Sequence, residues 1–167
     1  MSLYYELDPA NDDDEPQLPP LLKAEKVSKE VNVFKKAISS IEKSDTGTGF
    51  YSERSDIVDI AILLNPEINK NKCNQIIYVM MVAAGDAIGA LAPPEVLVSY
   101  SFPGYIYLNR GEAGVINYAI DNQKNDDQIP EWLILGLKLK LKQSENIEQD
   151  HPDPSVTSLE TEGAGFI

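Results

Sequence analysis

The chain contains few side chains from which catalytic chemistry could be built. Its one histidine, His151, lies in the sequence His-Pro-Asp-Pro-Ser near the C-terminus, and its one cysteine is Cys73. A serine or cysteine nucleophile normally needs a positioned base, and one histidine cannot form a histidine-based zinc site. We therefore predict no nucleophilic triad, no metal centre, a packing role for Cys73 in a buried helix, and a reducing compartment, the cytoplasm.

Residues 98–119, VSYSFPGYIYLNRGEAGVINYA, are the stretch in which a site could lie. Three short apolar segments are separated by Phe102-Pro103-Gly104 and by Asn-Arg-Gly-Glu, which is the pattern of a β-meander with tight turns. Arg110, in the second turn, carries a guanidinium that could hold a phosphate. The pattern fits both a plain meander and the scaffold of a binding site.

Acidic residues dominate the charge of the chain. There are 27 aspartates and glutamates against 14 lysines and arginines, a formal net charge of −13. Because such a protein is repelled by phosphate backbones and anionic lipids, we predict neither nucleic acid nor membrane among its partners. Residues 76–92 have about the minimum length of a membrane span, but Asp86 and the helical spacing of the polar residues predict a mostly buried helix with one solvent-exposed stripe.

Composition divides the chain into three parts. Residues 1–20 contain four prolines and the acidic cluster of residues 12–15, so we predict a flexible leader. Residues 21–142 have the hydrophobic content of one folded domain. Residues 143–167 are polar and are predicted to form a loose tail.

Hydrophobic periodicity predicts the elements of the domain: a strand at 21–27, a helix at 29–43, a hairpin over 49–66 with its second strand buried on both faces, a long helix ending at Pro93-Pro94, three short strands, and a strand at 132–142. In the last strand, alternate leucines face the core and Lys138, Lys140 and Lys142 face solvent. This order predicts an α+β domain with a mixed, mainly antiparallel sheet packed by two helices on one face.

The meander resembles the core of the biotin and lipoate protein ligases. In those enzymes a strand enters Lys-Trp-Pro-Asn-Asp, a short strand follows, and a turn delivers a lysine three residues before a glycine. Here the corresponding runs are SFPGYI (101–106), YLN (107–109) and RGEAGV (110–115). Residues 60–67, 85–95, 130–136 and 157–163 also resemble a divergent bacterial branch, the biotin/lipoate A/B protein ligase family.

That resemblance implies a class II synthetase-like fold over residues 21–142 and a ligand site. The implied activity is ATP-dependent attachment of an acyl cofactor to a lysine of a carrier protein, with biotin, lipoate and ATP as the possible ligands. The ligand-binding residues that the resemblance implies are Ser101, Phe102, Pro103, Gly104, Arg110, Gly111, Gly114 and Gly136.

The charged residues of the ligase pattern are absent from the matching positions. Gly111 or Glu112 stands where the family has its lysine, and Asp-Thr-Gly-Thr-Gly at 45–49 replaces its arginine-rich loop. Lys138 and Lys140 replace the second glycine and the asparagine of the later strand. An anionic transition state needs fixed positive charge, so the sequence identifies no catalytic residue.

Three hypotheses therefore remain open on the sequence. The first is a divergent acyl-protein ligase, and the second is a non-catalytic module of the same fold that binds a small acyl ligand or a protein partner. The third is that the resemblance reflects only a common strand-turn-strand arrangement.

Overall fold

A single mixed sheet is the framework of the protein. The computed structural model describes residues 16, 18–143 and 155–165, and within them seven strands form a sheet of order β1-β2-β3-β7-β6-β5-β4. Among the six strand pairs of the described residues, only β1–β2 is parallel, so the predicted α+β fold with a mainly antiparallel sheet is confirmed. The elements are β1 Lys23–Val27, α1 Val33–Ser39, β2 Thr48–Ser52, β3 Ile57–Leu64, α2 Lys70–Cys73, α3 Ile76–Leu91, β4 Val98–Ser101, β5 Tyr105–Leu108, β6 Gly111–Ile120 and β7 Leu133–Lys140.

The first helix is shorter than its apolar periodicity predicts. Asn32 is its N-cap, and its side chain accepts a hydrogen bond from the backbone N–H of Lys35 at 2.9 Å. This cap satisfies a donor that the first turn would leave unpaired, so the helix begins at Val33 and not at residue 29. Ser40 ends it by donating its N–H to the carbonyl of Ala37 at 3.1 Å.

The two longer helices cover opposite faces of the sheet, so the prediction that both lie on one face is wrong. Val33 and Ala37 of α1 pack in a buried cluster with Phe50, Ala61 and Ile134. The buried residues of α3 pack in a second cluster, which contains Ile77, Ala84, Ile88, Ile106, Ile116 and Leu135. Since successive strand residues point to opposite faces, the apolar residues of β3 and β7 supply both clusters.

The strand β7 is central and is buried more completely than predicted. It pairs with β3 on one side and β6 on the other, and every residue from Leu133 to Leu137 is buried. The alternation of leucine and lysine predicted one solvent-exposed face, but α1 covers Ile134 and Gly136 on that face. Only Lys138 and Lys140 remain partly accessible there.

The long helix α3 is more exposed than predicted. Its fully buried residues are Ile77, Ala84 and Ile88, whereas Val79 is 60% exposed and Val82 is 64% exposed. By length and composition the helical segment Lys70–Leu91 could cross a membrane, a property shared by core helices of soluble proteins, and 22% of its most apolar window is buried in the protein.

Residues 155–165 pack against the sheet, so the prediction of a loose tail is wrong for them. Val156 forms a parallel bridge with Glu112, and the N–H of Leu159 donates to the carbonyl of Lys140 at 3.1 Å. The side chain of Leu159 is fully buried. Residues 1–15, most of the predicted leader, and His151 lie outside the described residues.

Candidate functional site

The turn between β4 and β5 contains four of the predicted ligand-binding residues. Ser101 ends β4, and its carbonyl accepts a hydrogen bond from the N–H of Gly104 at 3.0 Å. The Phe102-Pro103 peptide bond is cis, and the Phe102 side chain is 81% exposed. A Cβ at Gly104 would lie 2.3 Å from the carbonyl oxygen of Ile116, so only glycine lets this turn approach β6 so closely.

The turn between β5 and β6 lies at the other end of β5. Asn109 and Arg110 have φ values of 46° and 79°, the left-handed conformations of a two-residue hairpin turn. Because β5 has four residues, its first and last residues are about 10 Å apart. The structure therefore separates Arg110 from Pro103, and it places Gly111 against Thr157 of the C-terminal segment.

Two of the predicted glycines converge on the middle of β6. The carbonyl of Gly104 accepts from the N–H of Ile116 at 2.8 Å, and Gly136 is the β7 partner of Asn117. A Cβ at Gly136 would lie 2.6 Å from the Cδ2 atom of Phe34, so this glycine makes room for an aromatic ring of α1. Gly114 lies farther along β6, where a Cβ would meet the carbonyl of Lys138 at 2.4 Å.

A cavity opens beside Gly136, on the face of the sheet that α1 covers. Its volume is about 220 Å³, and its lining comes from the start of α1 and from β3, β6 and β7. Of the three meander strands, only β6 reaches it, and Gly136 is the one predicted site residue in its wall. The lining residues are Asn32, Phe34, Lys35, Asp59, Ile60, Asn117, Gly136, Leu137 and Lys138.

An ion pair forms one wall of this cavity. Asp59 of β3 and Lys138 of β7 are register partners, and the Lys138 Nζ atom lies 3.2 Å from Asp59 Oδ2. The Asp59 side chain is 5% exposed and that of Lys138 is 32% exposed. A buried carboxylate needs such a partner, because burial removes the water that would otherwise solvate its charge.

The connection that follows β6 is held by a second carboxylate. Asp121 accepts hydrogen bonds from the backbone N–H groups of Gln123 at 2.9 Å and Glu131 at 3.2 Å. These N–H groups favour the charged form and lower the pKa of Asp121 below its usual value. The loop is thereby fixed at both ends, next to the strands that carry Asn117 and Gly136.

Cys73 is a packing residue, as predicted. It is 4% exposed in the cluster under α3, and its thiol donates a 3.4 Å hydrogen bond to the carbonyl of Ile68. Burial raises the pKa of the Cys73 thiol, which disfavours the reactive thiolate.

Sequence reasoning missed most of the cavity. Asn32, Phe34 and Asn117 reach it through tertiary packing, for which a single sequence carries no direct signal. Asp59 did carry one, because an acid inside the apolar strand IVDIAILL must be exposed or paired. Lys138 was assigned to solvent, yet its ammonium is the partner of that acid.

The lining favours binding over bond-making chemistry. Among the described residues, the lining contains no serine, cysteine or histidine, and the side chain of Lys138 is paired with Asp59. Its amides and ammonium groups beside the ring of Phe34 suit a small ligand with an apolar body and a polar or anionic end.

One protein family and several solved structures match the chain. The profile of the biotin/lipoate A/B protein ligase family matches residues 18–167, and no curated protein sequence matches. A biotin protein ligase-like protein of unknown function from Silicibacter sp. TM1040 aligns with a TM-score of 0.76 and 30% identity, over 89% of this chain and 63% of its own.

Two biotin protein ligases share the fold at lower identity. The apo enzyme of Aquifex aeolicus aligns with a TM-score of 0.62 and 20% identity, over 87% of this chain and 62% of its own. The Leishmania major enzyme in complex with biotin aligns with a TM-score of 0.56 and 11% identity, over 86% of this chain and 64% of its own. The chain thus spans less than two thirds of the length of these proteins.

Proposed function

We propose that this chain, which belongs to the biotin/lipoate A/B protein ligase family, is a cytoplasmic module that binds a small acyl ligand without activating it. The ligand class is a short carboxylic acid with an apolar body, such as biotin, lipoate or octanoate. The proposed site is the cavity between α1 and the sheet, with the ring of Phe34 beside the apolar body and Asn117 beside the polar end.

The Asp59–Lys138 ion pair is the observation that supports binding without catalysis. Activation of a carboxylate by ATP places several negative charges in one site, and fixed cations must stabilise them. The charge of Lys138 is already balanced by Asp59 at 3.2 Å, and Arg110 lies at the far end of β5. Among the described lining residues, the exposed Lys35 is then the remaining cation, enough to attract one carboxylate.

Thermal denaturation with biotin, lipoate or octanoate tests the binding. A ligand at 100 times its Kd stabilises the folded state by about 2.7 kcal/mol, which raises the melting temperature. The variant Asn117→Leu, which places an apolar group at the polar end of the cavity, should abolish the increase. Asn71→Leu, an exposed position on α2, is the matched control and should retain it. An equal response in both variants would place the ligand elsewhere.

An acyl-protein ligase is the second candidate function, and the glycines at positions 104 and 136 favour it. Both sit where any side chain would collide with neighbouring atoms, so the strand-turn geometry that resembles the ligase scaffold is retained. Pyrophosphate release from ATP in the presence of each acid separates the two functions. We expect none; turnover that Arg110→Ala abolishes would establish the ligase and overturn the binding-only proposal.

A further inference from the structure

The ring of Phe34 closes the inner end of the cavity between α1 and the sheet. Phe34 lines this cavity, and it also packs against the buried cluster that contains Val33, Ala61 and Ile134. The ring therefore lies between the open cavity and the apolar interior under α1. A ligand that enters the cavity meets the ring before it can reach the cluster.

The backbone of β7 lies directly against the ring. A Cβ at Gly136 would lie 2.6 Å from the Cδ2 atom of Phe34 and 3.3 Å from its Cε2 atom, so the ring edge occupies the space of a side chain at position 136. Ile60 of β3 borders the same place, because its carbonyl oxygen would lie 3.4 Å from that Cβ. Ile60 is 38% exposed, so the prediction that β3 is buried on both faces is wrong.

The first turn of α1 holds the ring in place. Val33, the residue before Phe34, is completely buried, and so is Ala37. The Asn32 cap fixes the start of the helix through the 2.9 Å hydrogen bond from the N–H of Lys35. The ring cannot withdraw from the cavity unless α1 moves or the side chain leaves its preferred rotamer. Phe34 is therefore a fixed wall of the cavity.

The room in front of the ring limits the size of a ligand. The cavity has a volume of about 220 Å³. A molecule of liquid water takes up about 30 Å³, and the bonded atoms of a ligand pack more closely, so this volume holds about ten non-hydrogen atoms. Octanoate is of about that size, whereas biotin, with its fused rings and its side chain, is larger by about half.

The charges of the lining orient such an acid. Asp59 is paired with Lys138 at 3.2 Å, and among the described residues no carboxylate pairs with Lys35. Because Lys35 is exposed, a carboxylate beside it keeps part of its hydration. The apolar chain of the acid then extends from Lys35 toward the ring of Phe34, where its burial is favourable.

We infer that Phe34 determines the chain length of the ligand, so that the site prefers a linear acid of about eight carbons to longer acids and to biotin. This inference rests on the function proposed above, whose ligand class it narrows. A fixed aromatic wall ends the gain from longer chains, because each further methylene group must stay in water or displace the ring.

Calorimetric titration of the full chain with hexanoate, octanoate, decanoate and biotin tests the inference. Each buried methylene group strengthens binding about fourfold, so octanoate should bind about fifteenfold tighter than hexanoate. Decanoate should bind no tighter than octanoate, and biotin should bind about tenfold more weakly than octanoate. A further gain of about fifteenfold from octanoate to decanoate would overturn the inference, because the ring would then set no limit.

The variant Phe34→Ala removes the wall. The space that it leaves adjoins the apolar cluster under α1, and an apolar space of about 150 Å³ can hold a benzene molecule. Decanoate should therefore bind Phe34→Ala about tenfold tighter than wild type and become the preferred acid. Ile38→Ala is the matched control, because Ile38 lies one turn farther along α1, is 40% exposed and does not line the cavity. It should keep the wild-type ranking of acids, and the same ranking in Phe34→Ala would contradict the inference.

A second variant and the wild-type result keep the test decisive. If the circular dichroism spectrum shows that Phe34→Ala does not fold, Phe34→Leu takes its place, and an unchanged preferred length would again overturn the inference. Binding of no acid to wild type, with decanoate binding to the position 34 variant, would refute the proposed function and still show that the ring closes the cavity. Binding of no acid to either protein would overturn both.

Discussion

Asp59 and Lys138 form an ion pair of 3.2 Å across β3 and β7, with the carboxylate buried and the ammonium about one third exposed. Lys138 stands where the resemblance to the ligases places a glycine, and its long side chain lines the cavity. The Asp59 carboxylate faces α1 from the interior of an apolar strand. Its folded environment therefore depends on Lys138.

Lys138→Met should destabilise the protein by about 2–3 kcal/mol. Removing one partner of a fully buried ion pair costs about 3–5 kcal/mol, and the partial exposure of Lys138 lowers that cost. The double variant Asp59→Leu/Lys138→Met should recover most of the loss, because it leaves no buried charge. Urea denaturation measures the free energy of unfolding of wild type, Lys138→Met and the double variant. A Lys138→Met variant as stable as wild type would contradict the assignment of the pair.

Gly136→Ala should destabilise the protein by about 1–3 kcal/mol. The added methyl group would lie 2.6 Å from the ring of Phe34, so α1 must shift or the ring must leave its rotamer. Gly89→Ala is the matched control, because a Cβ there meets nothing within 4 Å. Since Gly89 lies inside α3, alanine should stabilise the protein by about 0.5–1 kcal/mol.

Denaturation curves of these two glycine variants, recorded under identical conditions, measure their free energies of unfolding. We expect a decrease relative to wild type for Gly136→Ala and an increase for Gly89→Ala. A loss of stability in both would mean that α3 does not tolerate a side chain on its exposed face, and no loss in either would mean that Phe34 is not held against Gly136.

The stabilising effect of Asp121 should depend on pH. Its pKa in the folded protein is lowered by the N–H groups of Gln123 and Glu131, so its contribution is fully present above the ordinary aspartate pKa of about 3.9. It is lost as the pH falls through the lower folded pKa. Asp121→Asn should therefore melt at a lower temperature than wild type at pH 7, with the difference shrinking toward pH 3.

An exposed aspartate in the same loop provides the comparison for Asp121. Asp127→Asn removes the same charge at an exposed position and should leave the melting temperature within one degree of wild type at pH 7. A constant difference between Asp121→Asn and wild type from pH 7 to pH 3 would show that the charge of Asp121 does not stabilise the loop.

Local patterns in the sequence were enough to predict the strands, the order of the elements along the chain and the fold class. Proline pairs, turn residues and period-two alternation act within a few residues, so the β4–β5–β6 meander and the position of β7 in the chain were predicted, although the burial of β7 was not. The face of the sheet that each helix covers was not predicted correctly. Coverage of Ile134 and Gly136 by α1 depends on contacts between residues about 100 positions apart. The same limit explains why the sequence did not predict the cavity, whose wall contains one predicted site residue, Gly136.

The C-terminal segment shows how composition alone misleads. Residues 155–165 are rich in polar side chains, yet Thr157 donates its N–H to the carbonyl of Glu112 at 3.0 Å, and Asn109 donates to Glu162 at 2.6 Å. Polar residues whose hydrogen bonds are made within the fold have the same composition as solvated ones. The buried side chain of Leu159 distinguishes a segment that packs on the sheet from a solvated one.

Leu159→Ala should therefore destabilise the protein by about 2–5 kcal/mol, the cost of truncating a fully buried leucine. Leu159 is completely buried, whereas Leu97, in the connection between α3 and β4, is 61% exposed. Leu97→Ala removes the same atoms and should cost about 0.5 kcal/mol or less. Guanidinium denaturation of both variants measures the contrast. Equal, small effects would mean that the C-terminal segment does not pack on the sheet in solution.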